Sequence, residues 1–152
     1  MQKGYSLLES LIVVLILSIG LSLGLPEMHA IAKQQRQKTA FNALMRSLEY
    51  AKQRAIVSGK STSFCLSDDF LHCAKQGGSD LLIYQILSDG GEHYLKRAHL
   101  KLGTYQWRGF AKSDGVNFTS AGFVRENGRI RDLSNTKTIF VSRVGRFRVV
   151  DS

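Results

Sequence analysis

Residues 4–20 read GYSLLESLIVVLILSIG, and from Tyr5 to Pro26 the only charged side chain is Glu9. About 20 apolar residues carry a helix across a bilayer, so this run is long enough. A cleaved secretory signal has a basic start, a shorter apolar core and a small-residue cleavage site. Here the run passes straight into an amphipathic pattern with no such site. It therefore reads as a retained segment, with Lys3 on the cytoplasmic side. Glu9 is the anomaly. A carboxylate inside a spanning helix costs roughly 2.5–3.5 kcal/mol on insertion scales. It needs either a place near the headgroups or a cation to pair with when helices bundle.

A glycine, then an aromatic or apolar residue, then a glutamate four positions on, all within a long apolar helix, resembles the N-terminal signature of type IV pilins and type II secretion pseudopilins. Gly4, Tyr5 and Glu9 match it. The resemblance implies that a prepilin peptidase removes a leader, residues 1–4, by cutting between Gly4 and Tyr5. It implies N-methylation of Tyr5, and contact of Glu9 with the new amino group of a neighbouring subunit. Residues 5–28 would then be a transmembrane and filament-core helix, and 29–152 a soluble domain. Pro26 matches the helix-weakening proline of such proteins; it removes one backbone hydrogen bond. Many major pilins have Phe and then Thr where this chain has Tyr5 and Ser6; both changes are conservative. The implied partners are the peptidase, other major and minor pilins, and the bacterial inner membrane before assembly. The implied location is a single-pass inner-membrane precursor with a periplasmic domain, then a periplasmic or extracellular pilus.

From His29 to Ser58 the pattern is helical. Phe41, Leu44, Met45, Leu48, Ala51, Ala55 and Ile56 recur at spacings of three and four, which places an apolar stripe on one face. Ser58-Gly59 supplies a stop. One helix of about 50 residues would span ~75 Å if straight. Beyond Lys60 the texture changes. STSFCL and DLLIYQIL are strand-like, EHYLKRAHLKL is a further candidate, and TKTIFVSRVGRFRVV reads as one or two final strands. Ser88-Asp89-Gly90-Gly91 reads as a turn, and Asn127-Gly128 as a hairpin turn. The fold class is α+β: a long N-terminal helix packed on a mostly antiparallel sheet.

The 152 residues carry 21 Lys+Arg against 12 Asp+Glu, a net charge of +9. Such a surplus favours anionic partners. Cys65 and Cys73 lie close together in a part expected to be exported, which suggests a disulfide closing a short loop. A metal site of Cys65, His72 and Cys73 would lack a fourth ligand. No P-loop, GxGxxG or HExxH occurs and the four histidines are scattered, so the reading is of a peptidase substrate, not an enzyme, without cofactor.

The tail, SRVGRFRVVDS, places Arg143, Arg146 and Arg148 within six residues. On a strand, Arg146 and Arg148 share one face and Phe147 and Val149 the other. A bulge or turn at Val144-Gly145 would flip the parity and let Arg143 join them, and Gly145 would let a phosphate approach the backbone. Guanidiniums match phosphate oxygens in pairs. Between Tyr94 and Lys112 stand Lys96, Arg97, Lys101, Arg108 and Lys112, interleaved with Tyr105, Trp107 and Phe110. That mixture suits single-stranded nucleic acid, although core packing is the simpler role for Trp107.

FTSAG, an extended hairpin and IFVSRVGRFRV resemble the globular domains of FimT/FimU minor pilins and GspH pseudopilins. The FimT branch is linked to DNA uptake in natural transformation, and its members carry Gly-Arg-x-Arg near the carboxyl end. Gly145-Arg146-Phe147-Arg148 matches it, with Arg143 adjacent. A second match, Gly128-Arg129-Ile130-Arg131, makes Arg129 and Arg131 possible helpers beside Lys96, Arg97, Lys101 and Arg108. The resemblance implies sequence-independent DNA binding. Its alternative is a structural pilin or pseudopilin that primes or caps a filament, with only protein partners.

Overall fold

The computed structural model describes residues 6–75, 77–87, 90–100, 105–110, 115–133 and 136–151, with the side chains of residues 20–27 excepted. The chain forms two compact units, Met1–Arg36 and Gln37–Ser152.

Helix α1 (Leu7–Ser58) begins in the first unit and continues through position 26 without a break. In this unit Leu7, Leu8, Leu11 and the residues through Leu17 are all exposed in the single chain. Glu9 sits in the first turn, where its amide donates to the Ser6 carbonyl at 3.0 Å. Among the described residues no helix is long and apolar enough to cross a membrane. The span expected over 5–28 includes Tyr5 and the side chains of residues 20–27, which lie outside the described residues, as does Gly4.

In the second unit the end of α1 buries the expected stripe. Phe41, Leu44, Leu48, Ala51 and Ala55 are all buried, and Met45 is half-buried. Ile56 departs from the expectation: it is 49 % exposed, because one step past Ala55 turns it off the stripe. Gly59, with φ +64°, ends the helix in the left-handed region.

Two antiparallel sheets complete the unit. The first has the order β4-β3-β1-β6, from β1 (Thr62–Ser67), β3 (Asp80–Ile86), β4 (Glu92–His99) and β6 (Val116–Phe118). The second has the order β2-β5-β7-β8-β9, from β2 (Gly77–Gly78), β5 (Tyr105–Arg108), β7 (Gly128–Asp132), β8 (Lys137–Val141) and β9 (Phe147–Asp151). β1 is buried along its whole length, as the apolar character of SFCL requires. This is the expected α+β fold, a long N-terminal helix with antiparallel sheet.

One expectation changes, and two others gain definite geometry. Asn127-Gly128 does not make a hairpin turn: Gly128 opens β7, and the chain reverses at Thr119–Phe123. There Thr119 N–H donates to Phe123 O at 2.8 Å. Cys65 and Cys73 are bonded to each other, which removes the metal reading of that pair with His72. The turn at 88–91 holds Gly90 with N–H to Leu87 O at 3.0 Å, while Ser88 and Asp89 lie outside the described residues.

Candidate nucleic-acid interface

Side chains alternate along a strand, so one face of the second sheet is set by the inward residues. Tyr105, Trp107, Ile130, Ile139 and Val141 point into the core and are buried. Their neighbours must point outward. Register then aligns them across strands: Arg108 faces Arg129, Arg129 faces Phe140, and Phe140 faces Arg148. Four adjacent strands thus carry one row, Arg108–Arg129–Phe140–Arg148. At ~4.8 Å per strand the row is about 14 Å long. The next row places Gln106 opposite Arg131 and Arg131 opposite Thr138. A groove of about 300 Å³ runs over this face, lined by Arg108, Arg129, Arg131, Phe140, Val150 and Asp151.

Among the described residues the ion pairs are His72–Asp69, His99–Asp80 and Lys137–Asp151, and none uses an arginine. Asp132, one residue beyond Arg131, is buried on the opposite face. It faces Tyr105, whose phenol is pushed up by burial and then by that carboxylate.

Arg143 and Arg146 occupy the turn between β8 and β9, and both are exposed. The turn is fastened by hydrogen bonds at Ser142, Arg143, Gly145 and Arg146. Gly145 N–H donates to Ser142 O at 2.9 Å, and Ser142 N–H to Arg146 O at 3.1 Å. Arg146 N–H donates to Ser142 Oγ at 3.2 Å. Arg143 N–H donates to Asn127 Oδ1 at 2.6 Å, and its carbonyl accepts from Val124 N–H at 2.7 Å. Lys52 of α1 reaches in and donates from Nζ to the Gly145 carbonyl at 2.8 Å. Two flexible cations therefore project from a rigid frame. Arg148 follows on β9, exposed, while Phe147 packs edge-on against Phe118 at 6.2 Å.

Gly145 has a different part from the expected one. It is buried, and a Cβ on it would lie 2.3 Å from the Gly122 carbonyl oxygen. With φ +69° it shapes the turn, and its backbone is closed to a phosphate on that side.

The expected helpers divide. Arg108, Arg129 and Arg131 come together on the sheet face with Arg148. Lys96 and Arg97 stand on β4, at the edge of the other sheet. Lys96 Nζ lies 3.5 Å from Ser47 Oγ and 5.8 Å from the Tyr50 ring, and the Arg97 guanidinium lies 4.3 Å from the Tyr94 ring. Lys101 and Lys112 lie outside the described residues. The interleaved aromatics are not available for stacking: Tyr105, Trp107 and Phe110 are all buried, and Trp107 donates from Nε1 to the Lys75 carbonyl at 3.1 Å. Phe140, 41 % exposed between two arginines, was not anticipated. The alternation in KTIFV signals it, since Ile139 and Val141 claim the inward face.

Residues 40–149 match the family of type II transport protein GspH, and residues 1–25 match the prokaryotic N-terminal methylation motif. The chain belongs to the GspH family. The domain resembles the type IV minor pilin FimU of Pseudomonas aeruginosa (strain PAO1), with 20 % identity, 74 % of this chain and 91 % of that chain covered, and a TM-score of 0.55. It also resembles the minor pseudopilin EpsH of the Type 2 Secretion System of Vibrio cholerae, with 15 % identity, 76 % and 97 % covered, and a TM-score of 0.56. At these identities the likeness is one of fold. No curated protein sequence matches the chain. This GspH-family chain is thus a minor pilin or pseudopilin, one of a structural family. Its methylation motif implies prepilin-peptidase processing and assembly with other pilins.

Proposed function

We propose that this GspH-family pilin is a DNA-binding minor pilin of the FimT kind, which displays its arginines from a competence pilus and aids DNA uptake in natural transformation. The observation that supports this reading is the arginine turn: Arg143, Arg146 and Arg148 are exposed, without a carboxylate partner among the described residues, on a backbone tied to α1 through Lys52. Contacts of this type hold phosphates and do not read bases, so binding is independent of sequence and falls steeply with salt. Arg108, Arg129 and Arg131 extend the same positive surface. Cleavage between Gly4 and Tyr5, methylation of Tyr5 and pairing of Glu9 with a neighbour's amino group belong to the same proposal. They would carry the domain from the inner membrane into the filament.

The likeness to FimU and EpsH supports a second reading, a structural subunit that primes or caps a pilus or pseudopilus without touching DNA. One experiment separates the two. Full-length protein in detergent micelles is mixed with DNA of unrelated sequences at low salt and run on a gel. The DNA-binding reading expects retardation by the wild type and none by the Arg143→Gln, Arg146→Gln, Arg148→Gln triple variant. Equal retardation by both takes the turn out of the mechanism, and no retardation by either favours the structural reading.

A further inference from the structure

Phe140 is the one aromatic ring on the outward face of the second sheet among the described residues, and its placement has consequences for what that face can hold. The ring sits between Arg129 and Arg148 in direct cross-strand register. Neither guanidinium lies over it: the cation–ring contacts among the described residues are those of Lys96, Arg97 and Lys137 with other rings. The ring contacts involve Phe70, Tyr84, Tyr94, Trp107, Phe110, Phe118, Phe147 and His99, and not Phe140. The ring is 41 % exposed and lines a groove of about 300 Å³ together with Arg108, Arg129, Arg131 and Asp151. That volume is at the lower end for small-molecule sites, ~300–1,000 Å³.

An aromatic face flanked by guanidiniums in a cationic groove is the chemistry of unpaired nucleic acid: the ring stacks a base while the cations hold the phosphates on either side. A duplex cannot use the ring, because its base faces are already stacked on each other. Two further points favour a polyanion here. Arg108 and Arg129 are directly opposite each other, an arrangement that destabilises a sheet when nothing bridges the charges. Asp151, the acid that lines the groove, lies 3.9 Å from Lys137, a cation that offsets it in part.

We infer that the outward face of β5, β7, β8 and β9 is a single-strand binding site, with Phe140 as a stacking platform for an unpaired base and the arginines of its row, Arg108, Arg129 and Arg148, as phosphate holders. The inference deepens the DNA-binding reading and rests on it. The arginine turn engages phosphates of either form; the groove adds a preference for the unpaired form.

The test measures fluorescence anisotropy of full-length protein in micelles with a labelled oligonucleotide. The probes are one single strand, the duplex of the same sequence, and an abasic strand of equal length. Wild type is expected to bind the single strand about tenfold or more tighter than the duplex or the abasic strand, the scale of one base–aromatic stack. Phe140→Leu keeps an apolar side chain of β8 and removes the π face. It is expected to bind single strand and duplex alike, with its duplex affinity unchanged. Equal wild-type binding to the single and abasic strands overturns the inference, as does a single-strand preference that survives in Phe140→Leu. If that variant loses all binding, the wild-type abasic comparison decides alone. Equal wild-type binding to all three probes, lost in the triple arginine variant, overturns the stacking site and leaves the proposed function standing. Absence of wild-type binding to any probe removes both.

Discussion

Lys52 Nζ lies 2.8 Å from the Gly145 carbonyl oxygen, a contact across 93 residues of sequence that ties α1 to the arginine turn. A hydrogen bond from a charged donor contributes about 1.5–3 kcal/mol net when shielded, and this one is partly shielded. Lys52→Met keeps the aliphatic stem and removes the donor. It is expected to lower stability by about 1–2 kcal/mol, read by thermal unfolding, and to raise amide exchange at Gly145 and Arg146 above the rest of the domain.

Gly145→Ala meets two obstacles at once, a positive φ and the Gly122 carbonyl oxygen 2.3 Å from the new methyl. Gly59 has a similar φ of +64° but open space around it. Gly59→Ala is therefore expected to cost about 1–2 kcal/mol, from φ alone. Gly145→Ala should cost at least about 1–3 kcal/mol more, since backbone must move. Comparing the two unfolding midpoints checks the claim; equal losses would place the steric argument in error.

Arg108→Thr removes the like-charge pair with Arg129 and installs a strong strand former. A rise in stability of about 0.2–1 kcal/mol is expected, together with weaker DNA binding. The slope of log affinity against log salt should become shallower by about 1, the signature of one lost phosphate contact. A stability gain with unchanged salt slope would take Arg108 out of the interface.

Asp69 organises the disulfide loop. Its carboxylate pairs with the His72 ring at 2.9 Å and accepts from the His72 and Leu71 amides at 2.8 and 2.9 Å. The His72 ring, then the His72 amide, then the Leu71 amide hold its carboxyl well below the usual carboxylate range. A group lowered on folding stabilises at pH above its unfolded value and loses that contribution as the pH falls through the folded one. Wild type should thus exceed Asp69→Asn in thermal midpoint at neutral pH, with the gap closing as the solution is acidified below the usual carboxylate range. A pH-independent gap would contradict this assignment.

Cys65 is buried and its bond to Cys73 closes a loop with a sequence separation of 8. A closed loop of this size contributes about 2–3 kcal/mol in the chain-entropy description. Reduction, or Cys65→Ala with Cys73→Ala, should lower stability by that amount, and no free thiol should titrate in denaturant before reduction.

Local pattern carried much of this protein. The apolar run around Glu9, the stripe from Phe41 to Ala55, the stop at Gly59 and the runs that became β1, β3, β8 and β9 are all readable, because each depends on a periodicity or a turn residue within a few positions. The candidate site was readable only in part. The exposed tail arginines follow from composition and alternation. Their frame does not: Asn127 and Lys52 secure the turn from 16 and 93 residues away. Trp107 took the core role that was its simpler reading, while Phe140 stands outward, since which face of a strand is inward depends on the layer packed against it. The row Arg108–Arg129–Phe140–Arg148 exists through strand order and register, and a slip of one residue in any of its pairings would turn one of those side chains into the core. Chain-local physics specified what each segment becomes; long-range pairing, whose energy comes from contacts between segments far apart in the chain, selected which residues stand side by side.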